Sequence, residues 1–131
     1  ARLLEAKSKT EAQFTREVIE LAQTLGWLVA HFRPGMTSRI NRQGKQVWVT
    51  PMQGNPGFPD LVLVKSPRLI FAELKREGAK PTEPQRAWLE ALEAGGCRDW
   101  EVYVWRPRDM ETIREILFGE RGGQPVFLPR H

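Results

Sequence analysis

The 131-residue sequence predicts a single α/β domain with a mixed central β-sheet flanked by helices. Three observations carry this. Residues 61–64 and 69–72 are apolar runs on either side of a short Ser-Pro turn, the pattern of a central hairpin. Residues 82–94 then follow a helical pattern that Gly95-Gly96 ends, and 100–106 is another strand-like run. A strand, helix and strand in this order form a crossover, which lays 100–106 parallel beside 69–75. The hydrophobic fraction of 40% and five Trp argue for a packed core, and the length suits one domain rather than two.

In chain order, residues 1–9 form a lead-in, 10–118 the domain and 119–131 a tail. Thr10 and Gln13 make a capping-box pattern, starting a helix that runs to about Leu25 and stops at Gly26. At about 100° per residue, Phe14, Val18, Leu21, Ala22 and Leu25 fall on one arc. Glu11 falls on that arc too, at its N-terminal end, whereas Glu17 lies at its edge and Glu20 opposite. An early Glu suits the positive end of a helix dipole, so position alone leaves Glu11 open between a helix-end charge and a site acid.

Residues 27–33 form the first expected strand, with Val29, His31 and Arg33 on one face. His31 reads as a hydrogen-bonded structural residue, with contact to phosphate as the sharper alternative. Residues 34–57 are the least regular stretch and carry Arg39, Arg42 and Lys45, with a short strand expected at 47–50. Such a basic loop can embrace a nucleic acid, Trp48 or Met52 meeting a sugar or base, or it is a solvated loop with a small β-ribbon. After the central hairpin, Thr82 caps the second helix, Gln85 stands in the capping-box position, and Trp88, Leu89 and Leu92 line the buried face. Asp109 caps a last helix from Met110 to about Phe118. The tail holds an apolar Val126-Phe127-Leu128, which suits packing on the body or on a partner subunit.

The central hairpin also carries the chemistry. Glu73 and Lys75 share a strand face, roughly 6.7 Å apart along the chain, at the end of a fully apolar run. Charges there cost free energy unless they pair with each other or belong to a site. An even-numbered loop puts Asp60 opposite Glu73 on one face, and an odd one puts it on the other. Two facing carboxylates repel unless a cation lies between them, and Asp60, Glu73 and the Leu74 carbonyl are oxygen donors of the kind Mg²⁺ takes. Lys75 would then orient water or offset charge on a phosphate.

Pro59-Asp60 followed by Glu73-Leu74-Lys75 is similar to the PD-(D/E)XK nuclease signature. Gly57-Phe58-Pro59-Asp60, Glu73-Leu74-Lys75, Pro84-Gln85-Arg86-Ala87-Trp88-Leu89, Gly95-Gly96 and Val102-Tyr103-Val104-Trp105 follow in order over about residues 10–118. Together they resemble the virus-type replication-repair nuclease (VRR-NUC) domain, a family that includes small stand-alone phage and bacterial proteins. The resemblance implies a restriction-endonuclease-like core and a Mg²⁺- or Mn²⁺-dependent endodeoxyribonuclease. It implies branched DNA as substrate, such as four-way (Holliday) junctions or flaps, and a homodimer that makes two symmetric cuts. The family carries a Glu-x-x-apolar pattern near the start of its first helix, and Glu11-Ala12-Gln13-Phe14 matches it. Glu11 is thereby a third acidic residue, a direct or water-mediated metal partner, with Glu17 as fallback. It also implies that Gln85 lies beside the site, supporting Lys75 or the substrate, a role that competes with capping. Arg33, Arg39, Arg42, Lys45, Arg76, Lys80 and Arg86 are the expected DNA contacts.

Composition permits this without requiring it. The net charge is +4 and the pI about 9.6, a modest basic excess that suits a nucleic-acid partner. One Cys excludes an internal disulfide and a Cys cluster for zinc, and fits a reducing cytoplasm. No apolar run approaches a membrane span, and the N-terminal residues lack a signal-peptide core. The rival readings are a nuclease acting on ordinary duplex, a non-catalytic DNA-binding module of the same fold, and a structural Glu73 salt bridge.

Overall fold

The computed structural model describes residues 9–32, 37–49, 54–96 and 99–119, and only the backbone at 37–39, 47–49 and 96. In order come α1 (Glu11–Thr24), β1 (Leu28–His31), β2 (Thr37–Ile40), β3 (Gln46–Val49), β4 (Leu61–Lys65), β5 (Arg68–Leu74), α2 (Glu83–Gly96), β6 (Glu101–Trp105) and α3 (Met110–Phe118). A 3₁₀ turn, Pro107–Asp109, leads into α3. The lead-in 1–8, Arg33, Met52 and the tail beyond Gly119 lie outside the described residues.

The four strands β1, β4, β5 and β6 form one sheet in that spatial order. Its pairs are antiparallel except the parallel β5–β6 pair. The fold is therefore mixed α/β with three helices, as the hairpin and the crossover require. The basic segment holds the antiparallel ribbon β2–β3, of which only the second strand was expected. Its turn is set locally, because Asn41 Oδ1 accepts from the N–H groups of Gln43 (2.9 Å) and Lys45 (3.0 Å).

Local signals start and stop the helices. Thr10 caps α1 and Gln13 completes the box in return, at 3.0 and 2.8 Å. Gly26 follows at φ +94°, the left-handed turn that ends the helix. The Asp109 carboxylate does not cap α3 directly. It reaches back to the Arg106 N–H at 2.8 Å and closes the 3₁₀ turn that starts the helix.

Alternation along the strands makes two cores. Ile70, Ala72 and Leu74 of β5 join Leu61, Leu63, Tyr103 and Trp105 against α1 and α3. Val102 and Val104 point the other way and pack with Leu89 of α2. Glu73 has the parity of Phe71, so it lies on the α2 side of the sheet. β6 is buried at all five positions because both of its faces are covered. Among the described residues, no helix is long and apolar enough to cross a membrane.

One glycine sets the distance between the hairpin and α2. Gly57 has φ +99°, and a Cβ there would stand 2.5 Å from the Pro84 carbonyl carbon and 2.7 Å from the Gln85 nitrogen. Both are backbone atoms and cannot swing aside. Gly57→Ala is therefore expected to cost about 2–4 kcal/mol, left-handed strain and steric overlap together. A urea melt reads it directly, and an unchanged midpoint would show that the two segments separate freely.

Candidate active site

The hairpin loop is the two residues Ser66 and Pro67, and the register pairs Leu61 with Ala72. The even loop thus brings Asp60 across from Glu73, the first of the two registers considered above. Two backbone contacts hold Asp60 in place. Its carbonyl accepts from the Phe32 N–H at 2.8 Å, and its Oδ2 accepts from the Leu74 N–H at 2.9 Å. Asp60 is consequently tied to β1 on one side and to β5 on the other.

Glu73 is only 1% exposed, and its Oε1 has no hydrogen-bond partner among the described residues. Lys75 Nζ stands 3.8 Å from Oε2, a contact that leaves most of the desolvation cost standing. Burial and then the Asp60 charge push the Glu73 carboxyl up to about 9, with Lys75 opposing. Burial also raises Asp60, the Leu74 N–H opposes it, and the Glu11 charge raises it further. At neutral pH the pair therefore keeps a proton that two solvated carboxylates would release. A buried acid with one oxygen unused, facing a second acid, is the donor set a divalent cation satisfies.

The remaining residues expected at the site distribute less simply. Glu11 is exposed in the first turn of α1, at the end of the helix face that Phe14, Val18 and Ala22 bury, and it reaches Asp60 through its charge. Thr15 is buried one turn on, its hydroxyl donating to the Glu11 carbonyl at 2.8 Å. Glu17 pairs with Lys9 at 2.6 Å. Among the described residues, no three His, Cys, Asp or Glu side chains converge into a metal-holding group. The structure thus joins Asp60, Glu73 and Lys75 and leaves Glu11 at longer range. Of the two roles that compete for Gln85, the structure shows the capping one: its Oε1 accepts from the Thr82 N–H at 2.8 Å. The cap wins because its partner is fixed three residues away on the same chain segment.

Of the expected DNA contacts, Arg76 and Lys80 are exposed on the loop after β5, and Arg42 and Lys45 on the ribbon turn. Arg86 pairs with Glu90 at 3.6 Å. Arg33 lies outside the described residues, as does the side chain of Arg39. The loop after β5 is braced from behind. Arg106 donates twice to the Ala79 carbonyl, at 2.8 and 3.2 Å, and the Arg108 N–H donates to Glu77 at 2.7 Å. Lys75 itself is anchored by its N–H to the Trp105 carbonyl at 3.0 Å.

A second buried polar group escaped the sequence reading. Arg68, at the far end of β5, makes a two-pronged bond to Glu101, at 2.9 and 2.7 Å. It also donates to the carbonyls of Ile116 and Gly119 and lies over the Trp27 ring. Tyr103 donates its hydroxyl to Glu101 at 2.6 Å. The signal was present, since Arg68 and Glu101 both open apolar strands as Glu73 and Lys75 close one. Compared with known proteins, the chain matches no family model, no curated protein and no solved structure.

Proposed function

We propose that this chain is a Mg²⁺- or Mn²⁺-dependent DNA endonuclease of the PD-(D/E)XK type, akin to the VRR-NUC domain. The observation that carries the proposal is the pair Asp60–Glu73, held face to face with Glu73 Oε1 buried and unpartnered. The Lys75 contact, at 3.8 Å from Oε2, leaves that oxygen unpaired, which a structural salt bridge by itself does not explain. The order of motifs along the sequence and the mixed sheet that carries them support the same reading.

Asp60, Glu73 and the Leu74 carbonyl would hold the cation. When bound, the cation supplies Lewis-acid stabilisation of the phosphodiester. Asp60 and Glu73 give up their retained proton on binding it, and the Leu74 N–H keeps Asp60 aimed. Lys75 meets the negative charge that builds on the phosphate as water attacks. Arg76 and Lys80, on the braced loop, contact flanking phosphates. Branched DNA, a four-way junction or a flap, is the proposed substrate, with a homodimer as the cutting unit.

The test is cleavage of labelled junction and plain duplex in Mg²⁺, Mn²⁺ or EDTA, by the parent and by Asp60→Asn. Metal-dependent cutting of the junction, reduced at least about 10²-fold by the substitution, is the expected result. Equal cutting of both DNAs would remove the branch preference. Binding without any cutting, unaltered by Asp60→Asn, would identify a DNA-binding module instead.

A further inference from the structure

Between the turn before Gly57 and α2 lies an open groove of about 530 Å³, lined by Asn55, Pro56, Pro84, Ala87, Trp88 and Ala91. Its size falls in the small-ligand range, about 300–1,000 Å³. It is mostly apolar, and one wall is the exposed Pro84-Ala87-Ala91 stripe of α2. The other wall is the turn before Gly57, which Trp88 Nε1 joins by donating to the Asn55 carbonyl at 3.2 Å.

Ring contacts link the groove to the hairpin that carries the acid pair. Phe58 lies two residues before Asp60, and its ring meets Trp88 edge to face at 5.0 Å and Phe71 at 6.0 Å. On its other side Phe58 meets Phe32 at 5.3 Å, a ring that is 43% exposed. Phe32 is the residue whose N–H bonds the Asp60 carbonyl. A row of aromatic rings therefore runs from the carboxylates to the groove. The close approach of Gly57 to Pro84 makes groove wall and catalytic strand one rigid piece.

We propose that this groove takes one unpaired nucleobase from the strand whose phosphate sits at Asp60 and Glu73. The inference rests on the nuclease reading and deepens it, since it supplies a physical source for branch selectivity. A base stacked inside a duplex cannot enter a groove on the protein surface, whereas a base beside a branch has already lost its partner. Flat aromatic and proline surfaces bind any base by its face, without sequence preference. Asn55, exposed at the rim, offers an amide to the base edge. A peptide or lipid occupant would account for the apolar lining but not for the row of rings leading to the acid pair. Lys80 and Arg76 on the neighbouring loop suit a phosphate backbone.

The test uses the full chain and a flap DNA carrying 2-aminopurine at each of the first three unpaired positions, in EDTA so that no cutting occurs. The expected result is a change in emission at one of these positions, absent in Ala87→Leu and Ala91→Leu, which fill the groove from exposed helix sites. Replacing that base by an abasic site should weaken binding to the parent about 5- to 150-fold, the span of one base–aromatic stack. No emission change at any position, or no effect of the abasic site, overturns the groove. A parent that shows both effects yet cuts nothing in Mg²⁺ or Mn²⁺ retains the groove and loses the nuclease reading. One that cuts without either effect does the reverse.

Discussion

Glu73→Gln raises the Tm of the metal-free protein at pH 8 while removing Mg²⁺-dependent cleavage. The two effects have opposite signs because one group causes both. In the fold the Glu73 carboxyl is pushed up to about 9, against an ordinary value of 4.5. Below pH 4.5 both folded and unfolded chains hold the proton, and the group costs nothing. Between those values the unfolded chain releases a proton that the fold retains, so stability falls as pH rises. Gln keeps the shape of the protonated acid and does not titrate. Its advantage should be absent at pH 4, grow through the window and reach about 1–3 kcal/mol by pH 7–8. Mg²⁺ reverses the order: it should stabilise the parent by about 3 kcal/mol at a hundredfold excess over its Kd, and leave the variant unmoved. Cleavage should fall at least about 10²–10³-fold. Thermal melts across pH 4–8, with and without Mg²⁺, check this. A Tm difference independent of pH would show that Glu73 is ionised in the free protein.

Arg68→Met is the second large effect, and it acts on the fold. Arg68 is 9% exposed in its side chain and Glu101 2%, so the substitution leaves a buried carboxylate that keeps, among the described residues, the Tyr103 hydroxyl as its hydrogen-bond donor. Removing one partner of such a pair costs about 3–5 kcal/mol, a large part of the stability of an ordinary domain. The loss also frees the carbonyls at the end of α3, which Arg68 holds from Ile116 to Gly119. Adding Glu101→Leu to Arg68→Met should recover most of it, because the stranded charge is then gone. At a temperature where the variant is folded, cleavage should persist, since Arg68 stands at the opposite end of β5 from Glu73. Urea melts of the two singles and the double form the cycle. An additive double would mean that the two charges do not interact.

Elements were legible where local chemistry dictates them. Thr10-Gln13, Gly26 and Asp109 mark helix ends by bonds within a few residues, and the expected helices match the observed ones closely. Leu69 to Ala72 read as a buried strand because both faces are apolar. The Asp60–Glu73 pairing was open between an even and an odd loop until the structure showed the two-residue loop Ser66-Pro67. Less legible was how far the cover of α1 extends: Glu11 shares the direction of Phe14, Thr15, Val18 and Ala22, yet in the first turn of the helix it is exposed while they are buried.

By itself the sequence determined the α/β class and the ends of the helices, which follow from short-range spacing. It also singled out Asp60, Glu73 and Lys75 as candidates, while the structure set the register that brings Asp60 across from Glu73. Only the tertiary structure decided that Arg68 and Glu101 neutralise each other and that Gly57 must lack a side chain. Those facts depend on which residues, 27 to 33 positions apart, meet across the packed interior. No periodicity records such a meeting, because it is set by how helices and strands settle against one another.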